Sequence, residues 1–118
     1  MRILIADDER DFVEMLEDWL NYKNIKMDIA YEGMEALRFL KSGEYEVVIL
    51  DHNMPGLTGL ELIEYVKEKG LKCKTVMVTG YEEMDEVIAK AAGADEYLTK
   101  PVKMQEIRNI IEKYEKEE

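Results

Sequence analysis

Residues 47–53, Val47-Val48-Ile49-Leu50-Asp51-His52-Asn53, set an unbroken run of four apolar side chains directly before an acid. A strand with one wet face alternates apolar and polar residues. A continuous run is buried on both faces, as in a parallel sheet covered by helices on each side. Ile3-Leu4-Ile5-Ala6, Val76-Met77-Val78 and the weaker Tyr97-Leu98 repeat the pattern, whereas Lys26-Met27-Asp28-Ile29-Ala30 alternates and reads as a more exposed edge strand. Between these five strands lie segments with helical spacing, at about 9–22, 33–42, 58–69, 82–92 and 103–117.

The punctuation agrees. Gly43, Gly70 and Gly93 each follow a helical stretch, where a left-handed residue costs glycine least. Thr58 followed by Glu61 is a capping-box pattern opening the third helix. Consecutive strand–helix units with short connections force parallel strands and right-handed crossovers, so the expected fold is a doubly wound α/β sandwich of three layers around a five-stranded parallel sheet.

At 118 residues the chain is long enough for one core, and a single domain over 1–118 is expected. Its 47% hydrophobic and 36% charged residues are a globular composition. Acids outnumber bases by 27 to 16, a net charge of −11 that repels nucleic-acid phosphates and anionic headgroups and argues against nucleic acid or membrane as a direct partner. No apolar run approaches the ~18 residues of a membrane span and no signal peptide is evident, so a cytoplasmic location is expected. The one cysteine, Cys73, can make no disulfide within the chain and reads as incidental at a strand edge.

In open parallel sheets, ligands bind beyond the carboxyl ends of the strands. Asp7 and Asp8 follow the first strand, Asp51 the third, Thr79 the fourth and Lys100 the fifth. A single acid there is an ordinary turn former or helix cap. Three carboxylates on one rim are different, because each close pair repels by ~4 kcal/mol at an effective dielectric of 20. A hard divalent cation compensates naturally: Mg²⁺ takes carboxylate, carbonyl and water oxygens and leaves room for a phosphate. Lys100 adds a second positive group. The set suits phosphoryl transfer, with Asp51, held rigidly at the end of the central strand, as the nucleophile.

Asp7-Asp8, Asp51-His52-Asn53-Met54-Pro55-Gly56, Thr79-Gly80 and Lys100-Pro101, set in five strand–helix units, make the whole chain resemble the receiver domain of two-component response regulators, here of the stand-alone type. The resemblance implies a flavodoxin-like (βα)5 fold with strand order 2-1-3-4-5. It implies that Asp51 accepts a phosphoryl group from a sensor histidine kinase or a histidine phosphotransfer protein. Asp8, Asp51 and the backbone carbonyl of Asn53 would bind Mg²⁺, with Asp7 assisting through water, and Lys100 would bind a phosphoryl oxygen. Thr79 would turn towards the phosphoryl group and Tyr97 would move inward into the space it leaves. The Lys100–Pro101 bond matches the family's cis peptide. Such a protein is a signalling receiver rather than an enzyme in the usual sense, catalysing only its own phosphorylation and slow dephosphorylation.

His52, the sole histidine, falls at a position the family varies. Tyr81, two residues after Thr79, matches a variable residue governing water access, and with Asn53 it is expected to tune the lifetime of the phosphoryl group. The first helix carries apolar residues at Phe12, Val13, Met15, Leu16, Trp19 and Leu20, a wider stripe than one core face needs. Phe12 and Met15, with Pro101 near them, are candidates for docking a kinase helix. The fourth helix, fifth strand and fifth helix would report phosphorylation to a downstream protein target.

Two other classes fit less well. A haloacid-dehalogenase-like phosphatase also combines Asp, Thr, Lys and an acid pair, but its nucleophile follows the first strand and its acid pair comes last. A flavodoxin offers backbone N–H groups to a flavin phosphate after its first strand, where Asp7-Asp8-Glu9 would repel it. A receiver used only as an unphosphorylated docking module is disfavoured by the presence of every catalytic residue type.

Overall fold

The strands Arg2–Ala6 (β1), Lys26–Ala30 (β2), Val47–Leu50 (β3), Lys74–Gly80 (β4) and Glu96–Lys100 (β5) form one parallel sheet of order β2-β1-β3-β4-β5 in the computed structural model, which describes residues 1–80 and 82–117. The helices Arg10–Tyr22 (α1), Gly33–Ser42 (α2), Gly59–Glu68 (α3), Glu86–Ala92 (α4) and Met104–Lys116 (α5) follow the strands in turn. The arrangement is the flavodoxin-like three-layer sandwich that the sequence predicts. Alternating β2 is an edge strand.

Strand alternation divides the interior in two. Ile3, Ile5, Val47, Ile49, Val76 and Val78 face α1 and α5, where they meet Val13, Leu16, Leu20, Ile107 and Ile111. Leu4, Ala6, Val48, Leu50 and Met77 face the other way, onto Leu40 of α2, Leu62, Ile63 and Val66 of α3, and Ala89 of α4. Both faces of β1 and β3 are therefore dry, which is why their sequences are continuously apolar.

The Thr58–Glu61 capping box forms in full: Glu61 N–H donates to Thr58 Oγ1 at 3.2 Å and Thr58 N–H to Glu61 Oε1 at 3.0 Å. Gly70 and Gly93 have the positive φ expected of them, 65° and 121°. Gly43 does not: its φ is −130° and its backbone extended. A Cβ there would meet a different constraint, standing 3.2 Å from the Tyr45 ring, which would have to give by a few tenths of an ångström. The fourth helix is also shorter than its spacing suggests. Asp85 caps it by accepting from Val87 and Ile88 N–H at 2.8 and 3.3 Å, so residues 82–85 belong to the preceding loop.

Candidate functional site

Parallel pairing extends one residue past the strands and fixes two acids at the carboxyl edge of the sheet. Asp7 N–H donates to Ala30 O at 3.1 Å and Asp51 N–H to Ala6 O at 2.9 Å. Both residues are almost fully buried, at 1% and 4% exposure, while Asp8 stands exposed beside them. Asp51 is seated from behind by α3. A Cβ on Gly59 would lie 2.5 Å from the Asp51 carbonyl oxygen, so the helix reaches the back of the acid only because residue 59 has no side chain.

Lys100, at the end of β5, sends its ammonium into this acidic rim. Its Nζ lies 2.9 Å from Asp7 Oδ2, 3.1 Å from Asp51 Oδ2 and 2.7 Å from Glu9 Oε1. Burial alone would lower the lysine pKa, but the Glu9 and Asp7 carboxylates outweigh it and hold the ammonium charged well above its ordinary range. Asp7 moves the other way. Burial pushes its carboxyl up to about 6, with the Asp51 charge adding to the effect and Lys100 and the Glu9 N–H opposing it.

Among the described residues, Asp7, Asp8 and Asp51 offer carboxylate oxygens that all lie within 4.8 Å of one another. Asp7 Oδ2 is buried and accepts no aligned hydrogen bond, although Lys100 faces it as an ion partner. Hard oxygen donors, one of them unsatisfied, fit Mg²⁺. Asn53 is exposed on the adjoining loop, and its N–H donates to Asp51 Oδ1 at 3.2 Å. His52 Nδ1 accepts from Leu60 N–H at 3.3 Å, tying the loop to α3.

Thr79 is fully buried in β4 beside this rim, and its hydroxyl donates to Glu83 Oε2 at 2.8 Å. Tyr97 lies two positions back on the neighbouring strand, since Met77 pairs with Tyr97 and Thr79 with Thr99. Its ring is half-buried on the α2–α4 side, and its hydroxyl donates to Met84 O at 2.8 Å. Thr79 and Tyr97 thus share one face and both bond to the β4–α4 loop. Tyr81 lies outside the described residues.

Of the three docking candidates, Met15 is 58% exposed and Pro101 is exposed after a cis peptide bond. Phe12 is half-buried against the α1–α5 core, with its ring centroid 5.3 Å from Lys100 Nζ. Sequence reasoning missed Glu83 altogether, and it named Glu9 only as a charge after the first strand, without its pairing to Lys100. As the third acid in Asp7-Asp8-Glu9, Glu9 was a visible candidate for the rim; Glu83 lies in an irregular loop where no periodicity points to it. Among the described residues, no helix is long and apolar enough to cross a membrane.

Residues 3–112 match the sequence model of the response regulator receiver domain. The chain is 32% identical to the transcriptional regulatory protein DltR of Streptococcus agalactiae and 34% identical to the response regulator MprA of Mycobacterium avium. Each match covers 91% of this chain but only 48% and 47% of the relative. The chain thus spans about half or less of the length of such curated relatives. Two solved structures match over nearly their full length. The response regulator TrrA of Thermotoga maritima, in complex with Mg²⁺ and beryllium fluoride, is 35% identical at a TM-score of 0.84, over 96% of this chain and 97% of that one. A CheY-like receiver domain protein of Methanospirillum hungatei is 30% identical at a TM-score of 0.84, over 99% and 98%.

Proposed function

Because this chain belongs to the family of response regulator receiver domains, we propose that it takes a phosphoryl group onto Asp51 from a phosphohistidine of a sensor kinase or phosphotransfer protein. The observation that carries this reading is the buried Asp51 carboxylate, set between two further acids and 3.1 Å from the Lys100 ammonium. An Asp51 oxygen forms the new O–P bond as the donor's N–P bond breaks, and the electron pair leaves with the imidazole. The transferring group is stabilised by charge rather than by covalent chemistry, so a fixed cation and a fixed nucleophile supply most of what is needed.

Asp7, Asp8 and Asp51 would hold Mg²⁺, together with the Asn53 carbonyl. The bound cation supplies neutralisation of the phosphoryl oxygens, as the Mg²⁺ and beryllium fluoride held by the Thermotoga relative suggest. Lys100 neutralises a further phosphoryl oxygen, and Thr79 donates to another. When the Thr79 hydroxyl leaves the β4–α4 loop, Tyr97 moves inward beside Met77, and the α4–β5–α5 surface changes for a downstream protein in the cytoplasm. Phe12, Met15 and Pro101 form the side that meets the donor. Asn53 and Tyr81 set the lifetime of the phosphoryl group.

Incubation with acetyl phosphate and Mg²⁺, followed by intact mass, tests the reading. A gain of one phosphoryl group that disappears in Asp51→Asn is expected. No gain, or a gain that survives the substitution, would remove Asp51 as the acceptor.

A further inference from the structure

Glu83 meets the end of β4 twice. Its N–H donates to Gly80 O at 3.1 Å, and its side chain reaches back to Thr79. Its Oε2 accepts the Thr79 hydroxyl at 2.8 Å, and Gly80 N–H points at the same oxygen from 3.4 Å. The Thr79 hydroxyl holds the Glu83 carboxyl below the usual range; the Asn53 side chain and the Lys100 charge act in the same direction. Glu83 is therefore an anion at neutral pH, aimed at the same hydroxyl that a phosphoryl group on Asp51 would use.

A threonine hydroxyl carries one proton and can donate one hydrogen bond. Glu83 and a phosphoryl oxygen cannot both have it. We propose that Glu83 is a positioning residue that competes with the phosphoryl group for the single hydroxyl proton of Thr79, and by holding that proton at rest sets how readily the site closes on its ligand. The inference rests on the phosphoacceptor reading of Asp51 and Thr79. A ligand shifts a two-state equilibrium only through contacts that differ between the states. The Thr79–Glu83 bond exists in the resting state alone, so it must be given up before Thr79 can serve the phosphoryl group. The bond joins a buried donor to an exposed carboxylate, so water takes over the Glu83 side readily and the opposition stays modest.

Beryllium fluoride with Mg²⁺ serves as the probe, its affinity followed by calorimetry and its effect on Thr79 by amide shifts. Removing the competitor in Glu83→Ala should tighten binding by about fivefold, within the range of ordinary coupling between sites. Glu83→Gln keeps a neutral, weaker acceptor at the same reach, and about twofold is expected. In a Thr79→Val background, which keeps the buried shape but has no hydroxyl, the Glu83→Ala gain should vanish. Equal or weaker binding by Glu83→Ala overturns the proposal, as does a gain of the same size without the hydroxyl, which would assign the effect to bulk charge. Should the alanine variant fail to fold, an unchanged affinity in Glu83→Gln overturns it equally. A wild-type protein that binds no beryllium fluoride and takes no phosphoryl group from acetyl phosphate would overturn the phosphoacceptor reading, and this inference with it.

Discussion

Lys100 Nζ lies 3.1 Å from Asp51 Oδ2 although 49 positions separate the two residues and the whole of β4 runs between their strands. The parallel sheet makes the contact: every strand delivers its last residue to the same edge, so groups from distant parts of the chain meet at fixed spacing. That lysine also faces Asp7 and Glu9, which makes it the shared counter-charge of the acidic rim.

Lys100→Ala should therefore destabilise the metal-free protein by about 2–3 kcal/mol at pH 7.5, because removing one partner leaves buried Asp7 and Asp51 uncompensated. Urea unfolding in the presence of a chelator measures it. Millimolar Mg²⁺ should restore part of the loss, and a variant as stable as the wild type would show that solvent already screens the rim.

Asp7 gives a pH signature. Its carboxyl is raised to about 6 in the fold, against ~3.9 in an unfolded chain, so the native state binds that proton more tightly. The stability it contributes is fully present below about pH 4 and is lost as pH rises through about 6. Asp7→Asn should accordingly be more stable than the wild type at pH 7.5 by about 1–2 kcal/mol without metal, and the advantage should shrink towards pH 4.5. A difference independent of pH would mean that Asp7 titrates normally.

Gly59→Ala replaces glycine by the best helix former at the start of α3, a change that helix propensity alone makes favourable by up to about 1 kcal/mol. It should instead destabilise by about 2 kcal/mol, since its Cβ would overlap the Asp51 carbonyl oxygen and the backbone must shift. Phosphorylation by acetyl phosphate should slow as well. A stabilised variant of normal activity would show that the loop after β3 yields without moving Asp51.

Calorimetric titration with Mg²⁺ should show weak binding that weakens further in Asp8→Ala and in Asp51→Asn, each of which removes an anionic oxygen from the cluster. Unchanged affinity in both would place the cation elsewhere.

Saturation with beryllium fluoride should move the amide resonances of Thr79 and Tyr97 together, because the two side chains share a face and a loop. Shifts confined to the neighbourhood of Asp51, with α4 and β5 silent, would disprove the proposed switch.

The parallel sheet and the residues that meet at its edge were legible because double-sided burial leaves a direct mark on sequence, as in Val47–Leu50, and because an acid or lysine that ends a strand has only one place to go; the strand order came from the family resemblance, since burial alone does not rank neighbouring strands. Helix ends were less legible. Spacing alone extends α4 back to residue 82, and only the Asp85 cap shows where the helix begins. Gly43 illustrates a different limit: the close contact a larger residue would make is with a ring two positions away and has nothing to do with its own φ. The contacts of Glu9 with Lys100 and of Glu83 with Thr79 were not legible because each acid acts on a residue of another element, and neither pattern nor propensity records that.

The two apolar layers meet only through the backbone of the sheet. Val13, Leu16 and Leu20 root α1 in one layer, and Ala89 roots α4 in the other. On the roles proposed here, the exchange of side-chain positions at Thr79 and Tyr97 repacks the α4 side and requires nothing of α1. A donor protein gripping α1 meets the same relief before and after transfer, while a listener at α4 meets two different ones. Writing the signal and reading it are thus centred on different helices, α1 on one wall of the sheet and α4 on the other, with α5 the part of the reading surface that shares the writer's side.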